Sequence, residues 1–192
     1  MRESVRQAAP AFPKEALVPR IRYHVAASLD GYIAGPRGEY DWIVQEPAID
    51  FGALFAQFDT FVMGRVTYEA AIQAGAPPFP AGSKVFVFSH AMRQQDHPTV
   101  TIVSEVSKAT VERIRSGAKK DVWLFGGGRL FRSFLDSGFV DTVEVAIVPV
   151  LLGGGLPLLA PPANRTSLRL VKHRVYPSGI AWLEYDVTAL AA

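Results

Sequence analysis

Short apolar runs that stop at glycine, proline or a polar residue alternate along this chain with stretches whose apolar positions recur every three or four residues. The first pattern predicts strands and the second predicts helices. Arg20 to Ala27 alternates loosely and predicts a first strand. Ser28 to Tyr40 carries Gly31, Gly35, Pro36 and Gly38 and predicts a loop, with an extended piece at Tyr32-Ile33-Ala34. Phe51, Leu54, Phe55 and Phe58 fall on one helical face. Thr60 to Met63 predicts a buried strand, and Val66 to Gln73 a helix beyond Gly64. After the proline-rich stretch from Ala74 to Gly82, strands are predicted at Lys84–Phe88 and Thr99–Val103 and a polar helix at Ser107–Ser116. Val122 to Phe125 is an apolar run that meets Gly126-Gly127-Gly128, where a helix begins at once. Leu130, Phe131, Phe134 and Leu135 share its inner face, which runs to Asp136. Thr142–Val148 predicts a strand stopped by Pro149. Leu168–Val175 and Ile180–Val187 predict a hairpin across Pro177-Ser178-Gly179.

Strands alternating with helices through residue 148 predict an α/β fold of three layers, with a mostly parallel sheet between helices and an antiparallel C-terminal hairpin. Ligands of open α/β sheets sit beyond the carboxyl ends of the strands. Three strand ends are marked there: Met63 before Gly64-Arg65, Phe88 before Ser89, and Phe125 before the glycines. Residues 1–19 contain Pro10, Pro13 and Pro19, lack the apolar core of a signal peptide, and are expected to form an extension. Residues 20–192 are expected to form one domain.

The 192 residues carry a formal net charge of only +2, with scattered basic residues, so no nucleic-acid footprint is expected. No apolar run approaches the roughly 20 residues that cross a bilayer. The chain contains no cysteine, which excludes disulfides, cysteine zinc sites and a thiol nucleophile and is compatible with the cytoplasm. No metal site is expected.

A strand, a glycine turn and a helix start together present backbone N–H groups to a phosphate or pyrophosphate. Gly126-Gly127-Gly128 departs from the dinucleotide pattern of a Rossmann fold, because Phe131 stands at the third glycine position and the motif comes late. Glu144 has the spacing of the ribose-binding acid but sits mid-strand. A P-loop is excluded by the missing Gly-Lys-Ser/Thr. Three glycines can also serve tight strand-to-helix packing alone. The second glycine-marked helix start, Gly64-Arg65-Val66-Thr67, favours a shared nucleotide site: Arg65 offers a phosphate fork and Thr67 a hydroxyl.

Four segments occur in a telling order: Ala26-Ala27-Ser28-Leu29-Asp30-Gly31-Tyr32-Ile33-Ala34, Met63-Gly64-Arg65-Val66-Thr67-Tyr68-Glu69, Phe125-Gly126-Gly127-Gly128 and Pro149-Val150-Leu151-Leu152-Gly153-Gly154-Gly155. Together they resemble the dihydrofolate reductase-like fold, and within it a stand-alone reductase domain of the riboflavin biosynthesis type. The resemblance covers about residues 20 to 190 and implies NADPH as cofactor and a pyrimidine- or pterin-like acceptor, as in a 5-amino-6-(5-phosphoribosylamino)uracil reductase. It implies that Ala26, Ala27 and Ile33 flank the nicotinamide, and that Gly64, Arg65, Val66 and Thr67 hold the adenosine-side phosphates. Ser89 and His90 would meet the ribose and its 2′-phosphate, while Gly126, Gly127, Gly128, Arg129, Leu130 and Phe131 receive the pyrophosphate. A cis peptide between Gly126 and Gly127 and a homodimer are also implied.

The companion zinc deaminase of bifunctional relatives is excluded by the absence of cysteine. Asp30 and Asp50 are the candidate catalytic carboxylates, and either needs a raised pKa to act as an acid at neutral pH. Asp50 alternatively caps its helix and Asp30 alternatively forms a turn. Trp42, next to Asp41, covers the cleft or joins the core. Arg37, Arg129 and Arg165 are the cations available for a substrate phosphate. Alternatives to the reductase are a non-catalytic NADPH-binding module and a dihydrofolate reductase proper.

Overall fold

In the computed structural model, which describes residues 18–75 and 79–188, the first strand β1 (Ile21–Ser28) sets the plan of the molecule. Its side chains alternate across the sheet. Ile21, Tyr23 and Ala27 enter one core, whereas Arg22, His24 and Ala26 take the opposite face. The chain continues through β2 (Tyr32–Ala34), α1 (Phe51–Phe55), β3 (Phe58–Gly64), α2 (Arg65–Gln73), β4 (Lys84–Phe88) and β5 (Thr101–Val103). Then come α3 (Lys108–Gly117), β6 (Asp121–Gly126), α4 (Gly128–Asp136), β7 (Thr142–Val148), β8 (Leu156–Pro157), β9 (Ser167–Val175) and β10 (Ala181–Thr188).

Eight strands form one sheet in the order β5-β4-β3-β6-β1-β7-β10-β9. It is parallel from β5 to β7, and β10 pairs antiparallel with both β7 and β9. This is the expected three-layer α/β arrangement with its C-terminal hairpin. Helices α3 and α4 cover one face through Val111, Ile114, Phe131 and Phe134. Leu54, Phe55 and Tyr68 of α1 and α2 cover the other face, over Phe58, Phe61, Met63 and Trp123.

Several boundaries differ from expectation. Phe58 does not continue α1; it opens β3, is buried, and sets its ring 4.9 Å from that of Trp123. A one-turn helix followed by a strand imitates the spacing of a longer helix. Strand β5 begins at Thr101, because the side chain of Gln94 bonds the carbonyl of Val100 and the amide of Ile102. Ser107 lies outside α3 as its N-cap, with its hydroxyl accepting from the Thr110 amide. The two-residue β8 was not expected, and it pairs with β2 in a separate ladder. Residues 1–17 of the expected extension lie outside the described residues.

The amino ends of the strands are tied by charge. Arg20 pairs with Asp186, Arg115 pairs with Asp141, and the same Asp141 accepts the Ile21 amide. Among the described residues the carboxyl ends of β3 and β6 carry no such ties, and they lead directly into helices.

Candidate active site

Strands β3 and β6 are neighbours, and Met63 stands opposite Gly126. The helices they feed, α2 and α4, therefore start side by side. Their N-caps, Gly64 and Gly127, make no side-chain capping bond. The first three amides of each helix also have no partner within it. Neither first turn contains an acid; each contains an arginine instead, Arg65 and Arg129. That reverses the usual charge preference of a helix start, so each start is short of negative charge.

Gly126 has φ +150° and is joined to Gly127 by a cis peptide, as the resemblance implied. A Cβ added at Gly126 or Gly127 would meet the Thr67 hydroxyl at 3.6 Å, an ordinary contact, and at Gly127 also Ile33 Cδ1 at 4.0 Å. Ile33, Thr67 and Gly127 thus border one open space. Gly128 differs from its neighbours. A Cβ there would run into the carbonyl oxygen of Pro157, so its glycine is required by packing against the chain around β8.

Of the other predicted cofactor residues, Ala26 is half-buried, Ala27 is buried, and Val66 is exposed at the start of α2. Leu130 is partly buried against the core. Phe131 is corrected. Its ring stacks on Tyr23 at 3.8 Å in the core and its amide donates to the Gly127 carbonyl, so neither group faces a ligand. The Ser89 hydroxyl accepts from the amides of Ala91 and Met92, which leaves its own proton to donate, and His90 beside it is exposed. Arg65 reaches Glu69 one turn on, at 2.8 Å.

The two predicted carboxylates hold backbone. Asp50 caps α1 by accepting the Ala53 amide, and it is exposed. Asp30 accepts from the Ser28 hydroxyl and from the amides of Leu152 and Gly153. The Ser28 hydroxyl, followed by those amides, lowers its pKa, the wrong direction for a general acid at neutral pH. The loop around Asp30 is likewise stitched to residues 150–158, with Leu29 donating to Val150 and Leu158 donating to Gly31. Trp42 is half-buried and donates to the Glu39 carbonyl within its own loop.

Sequence reasoning missed a buried polar cluster. Glu144, 0% exposed at the centre of the sheet, accepts from Arg22 through both oxygens and meets His24 Nδ1 at 3.0 Å. Burial alone would push its pKa up; the bonds and charges of His24 and Arg22 outweigh that and bring it to about 2. One residue pair further toward the carboxyl ends, Ala26, Ala146, Trp182 and Arg174 form a cross-strand row on the same face. Two small side chains, Ala26 and Ala146, thus stand side by side next to Trp182 in this row. Near the hairpin tip, buried Glu46 accepts the amides of Ala48 and Ser178 and joins the loop before α1 to the turn between β9 and β10. The signal for Glu144 was its place between Val143 and Val145, but its partners lie on a strand over a hundred residues away.

Two open clefts, of about 710 and 410 Å³, lie at the opposite, amino end of the sheet. The larger contains Arg165, which removes that residue from the carboxyl ends, and its Arg20 and Arg169 are already paired with Asp186. Arg37 is exposed beside Glu39. Among the described residues no cluster of metal-ligating side chains occurs and no helix is long and apolar enough to cross a membrane.

Glycine-marked helix starts side by side on a mostly parallel sheet with an antiparallel hairpin define a dihydrofolate reductase-like domain. Residues 19–182 match the model of the RibD C-terminal domain, and the chain belongs to that family. It is 30% identical over 177 residues to the uncharacterized protein YyaP of Bacillus subtilis, covering 86% of this chain and 94% of that one. Among solved structures, a putative riboflavin biosynthesis protein from Shewanella sp. PV-4 is 27% identical with a TM-score of 0.76, over 88% of this chain and 99% of the other. A deaminase/5-amino-6-(5-phosphoribosylamino)uracil reductase of Thermotoga maritima shares the fold with a TM-score of 0.61 at 20% identity. It matches 88% of this chain, which spans 57% of that protein.

Proposed function

We propose that this protein is an NADPH-dependent reductase of a small pyrimidine- or pterin-like heterocycle. The observation that carries the reading is the pair of uncapped helix starts at Gly64 and Gly127, each with an arginine in its first turn. The amides of Gly128, Arg129 and Leu130 would take the pyrophosphate, and those of Arg65, Val66 and Thr67 the adenosine-side phosphate. Arg65, with Ser89 and His90, would select the 2′-phosphate. Its half-exposed pair with Glu69 contributes at most about 1 kcal/mol, so a doubly charged phosphate can replace it. Bound there, NADPH would supply a hydride to an acceptor lying over Ala26 and Ala146. The protein's part is to align the two rings and keep water out. A cytoplasmic location belongs to the same reading.

Fluorescence titration with NADPH and NADH tests it. NADPH is expected to bind at least tenfold more tightly. Arg65→Ala should weaken NADPH about tenfold and NADH less than threefold. Equal losses would remove Arg65 from the 2′-phosphate, and no binding of either nucleotide would overturn the reading. Binding without acceptor-dependent oxidation of NADPH would indicate a non-catalytic module.

A second copy of the chain is the partner in this proposal. Leu168, Leu170 and Val175 of the edge strand β9 are 43%, 48% and 70% exposed and extend one face with Tyr185 and Val187 of β10. An apolar face on a sheet edge marks an association surface. Leu170→Glu should shift a dimer toward monomer in sedimentation velocity; a monomeric wild type would refute this arrangement.

A further inference from the structure

We infer that His24, oriented by Glu144, is the proton donor to the acceptor in the proposed reduction. The inference rests on the reductase reading and adds a catalytic residue to it. Hydride addition to a C=N bond leaves an electron pair on nitrogen, which must gain a proton. Neither predicted carboxylate is placed to supply it, since Asp30 is held by three donors and Asp50 caps an exposed helix.

His24 stands on the face of β1 that carries Ala26, two residues short of it, and Ala26 lies opposite Ala146. Ala26 and Ala146 form the row over which the acceptor is proposed to lie, and the adjacent row on the same face is His24 and Glu144. The imidazole side chain is 13% exposed, whereas its partner Glu144 is sealed. Glu144 Oε2 takes Nδ1 at 3.0 Å, which assigns the proton on that nitrogen and turns Nε2 away from the carboxylate. The ring is also fixed edge-on to Trp123 at 5.1 Å, and the Trp123 indole donates to the His24 carbonyl. Arg22 holds Glu144 through both oxygens, so the carboxylate cannot swing away. The geometry is that of a carboxylate-oriented imidazole, a common arrangement for general acid–base work.

In the proposed step the hydride forms a C–H bond at the acceptor carbon, and the π pair of C=N moves to nitrogen. That nitrogen takes the proton from Nε2 of the imidazolium. The nicotinamide is oxidised, the C=N bond is reduced, and the imidazole regains its proton from solvent. The other charged groups on this face include Arg22 on β1, Asp121 on β6, Glu184 and Asp186 on β10, and Arg169, Lys172 and Arg174 on β9, of which Arg22 pairs with Asp121, Lys172 with Glu184 and Arg169 with Asp186.

The decisive experiment uses the full chain with 7,8-dihydropterin and a ribosylaminouracil as probes. His24→Asn should lower acceptor-dependent NADPH oxidation at least a hundredfold, while the Kd for NADPH changes less than twofold. In ¹⁵N NMR without NADPH, adding a probe should move the Nε2 resonance that His24→Asn removes. Glu144→Gln should lower turnover about tenfold. Turnover within threefold of wild type in His24→Asn, or an Nε2 resonance unmoved by both probes, overturns the assignment. If wild type binds NADPH and reduces neither probe, the reductase reading fails and takes this inference with it; loss of NADPH binding in His24→Asn would instead mark a structural role.

Discussion

Gly127→Val is expected to yield a folded protein whose NADPH affinity has fallen at least a hundredfold, whereas Gly128→Val should fail to fold stably. The two glycines are adjacent, yet different neighbours require them. Gly127 has φ −96° and ψ −174°, an extended conformation that valine favours. Its Cβ would find Thr67 and Ile33 at ordinary contact distance, so the side chain fills the proposed phosphate space without displacing backbone. The Cβ of Gly128→Val would strike the Pro157 carbonyl, which cannot yield without moving the β2–β8 ladder. Overpacking of this kind costs about 1–3 kcal/mol or more. Melting curves and NADPH titrations on both variants check the contrast. A Gly127→Val protein that binds NADPH normally would end the assignment of this glycine to the cofactor.

The second large effect concerns Glu144. Glu144→Ala removes the anion, leaving the largely buried Arg22 with only Asp121 as carboxylate partner and His24 with none. Breaking a buried pair in this way costs about 3–5 kcal/mol, a fall in Tm on the order of 10 °C for a domain of this size. The acid limb of stability carries the same signature. Glu144 has its pKa lowered in the fold, from an ordinary 4.5 to about 2. Its contribution is therefore fully present above pH 4.5 and is lost as the pH falls through about 2. It amounts to about 3 kcal/mol across that window. Urea denaturation of wild type and Glu144→Gln between pH 5 and 2 should show the wild type losing stability faster; parallel curves would contradict it.

The sheet, its parallel core and the closing hairpin were legible because strand and helix periods differ and each run was bounded by a breaker. The two helix starts were legible for the same reason, since glycine at a strand-to-helix junction marks both geometry and ligand space. What could not be read was cross-strand pairing. Arg22 and His24 alternate with Ile21 and Tyr23 in the sequence, but only the parallel register with β7 brings them to Glu144. Phe131 was misplaced because its position in the glycine motif implied a ligand while its helical face implied the core, and the core prevailed. Glu46 gave no signal, because its partner Ser178 lies in the distant hairpin turn. The roles of Asp30 and Asp50 likewise depend on which amides reach them.

Residues 149–160 are fastened at both ends. Asp30 holds the amides of Leu152 and Gly153, and Gly155 presses so closely on the Ala34 carbonyl that a Cβ would not fit. The next two residues form β8, whose Pro157 closes over Gly128. The segment acts as a spacer of fixed length between the loop after β1 and the first turn of α4. An insertion anywhere in it would shift one side of the proposed cofactor site against the other, whereas the exposed Arg37-Gly38 tip could be lengthened freely. Sequence length in this stretch, more than the identity of its leucines, is what the contacts at Asp30, Ala34 and Gly128 constrain.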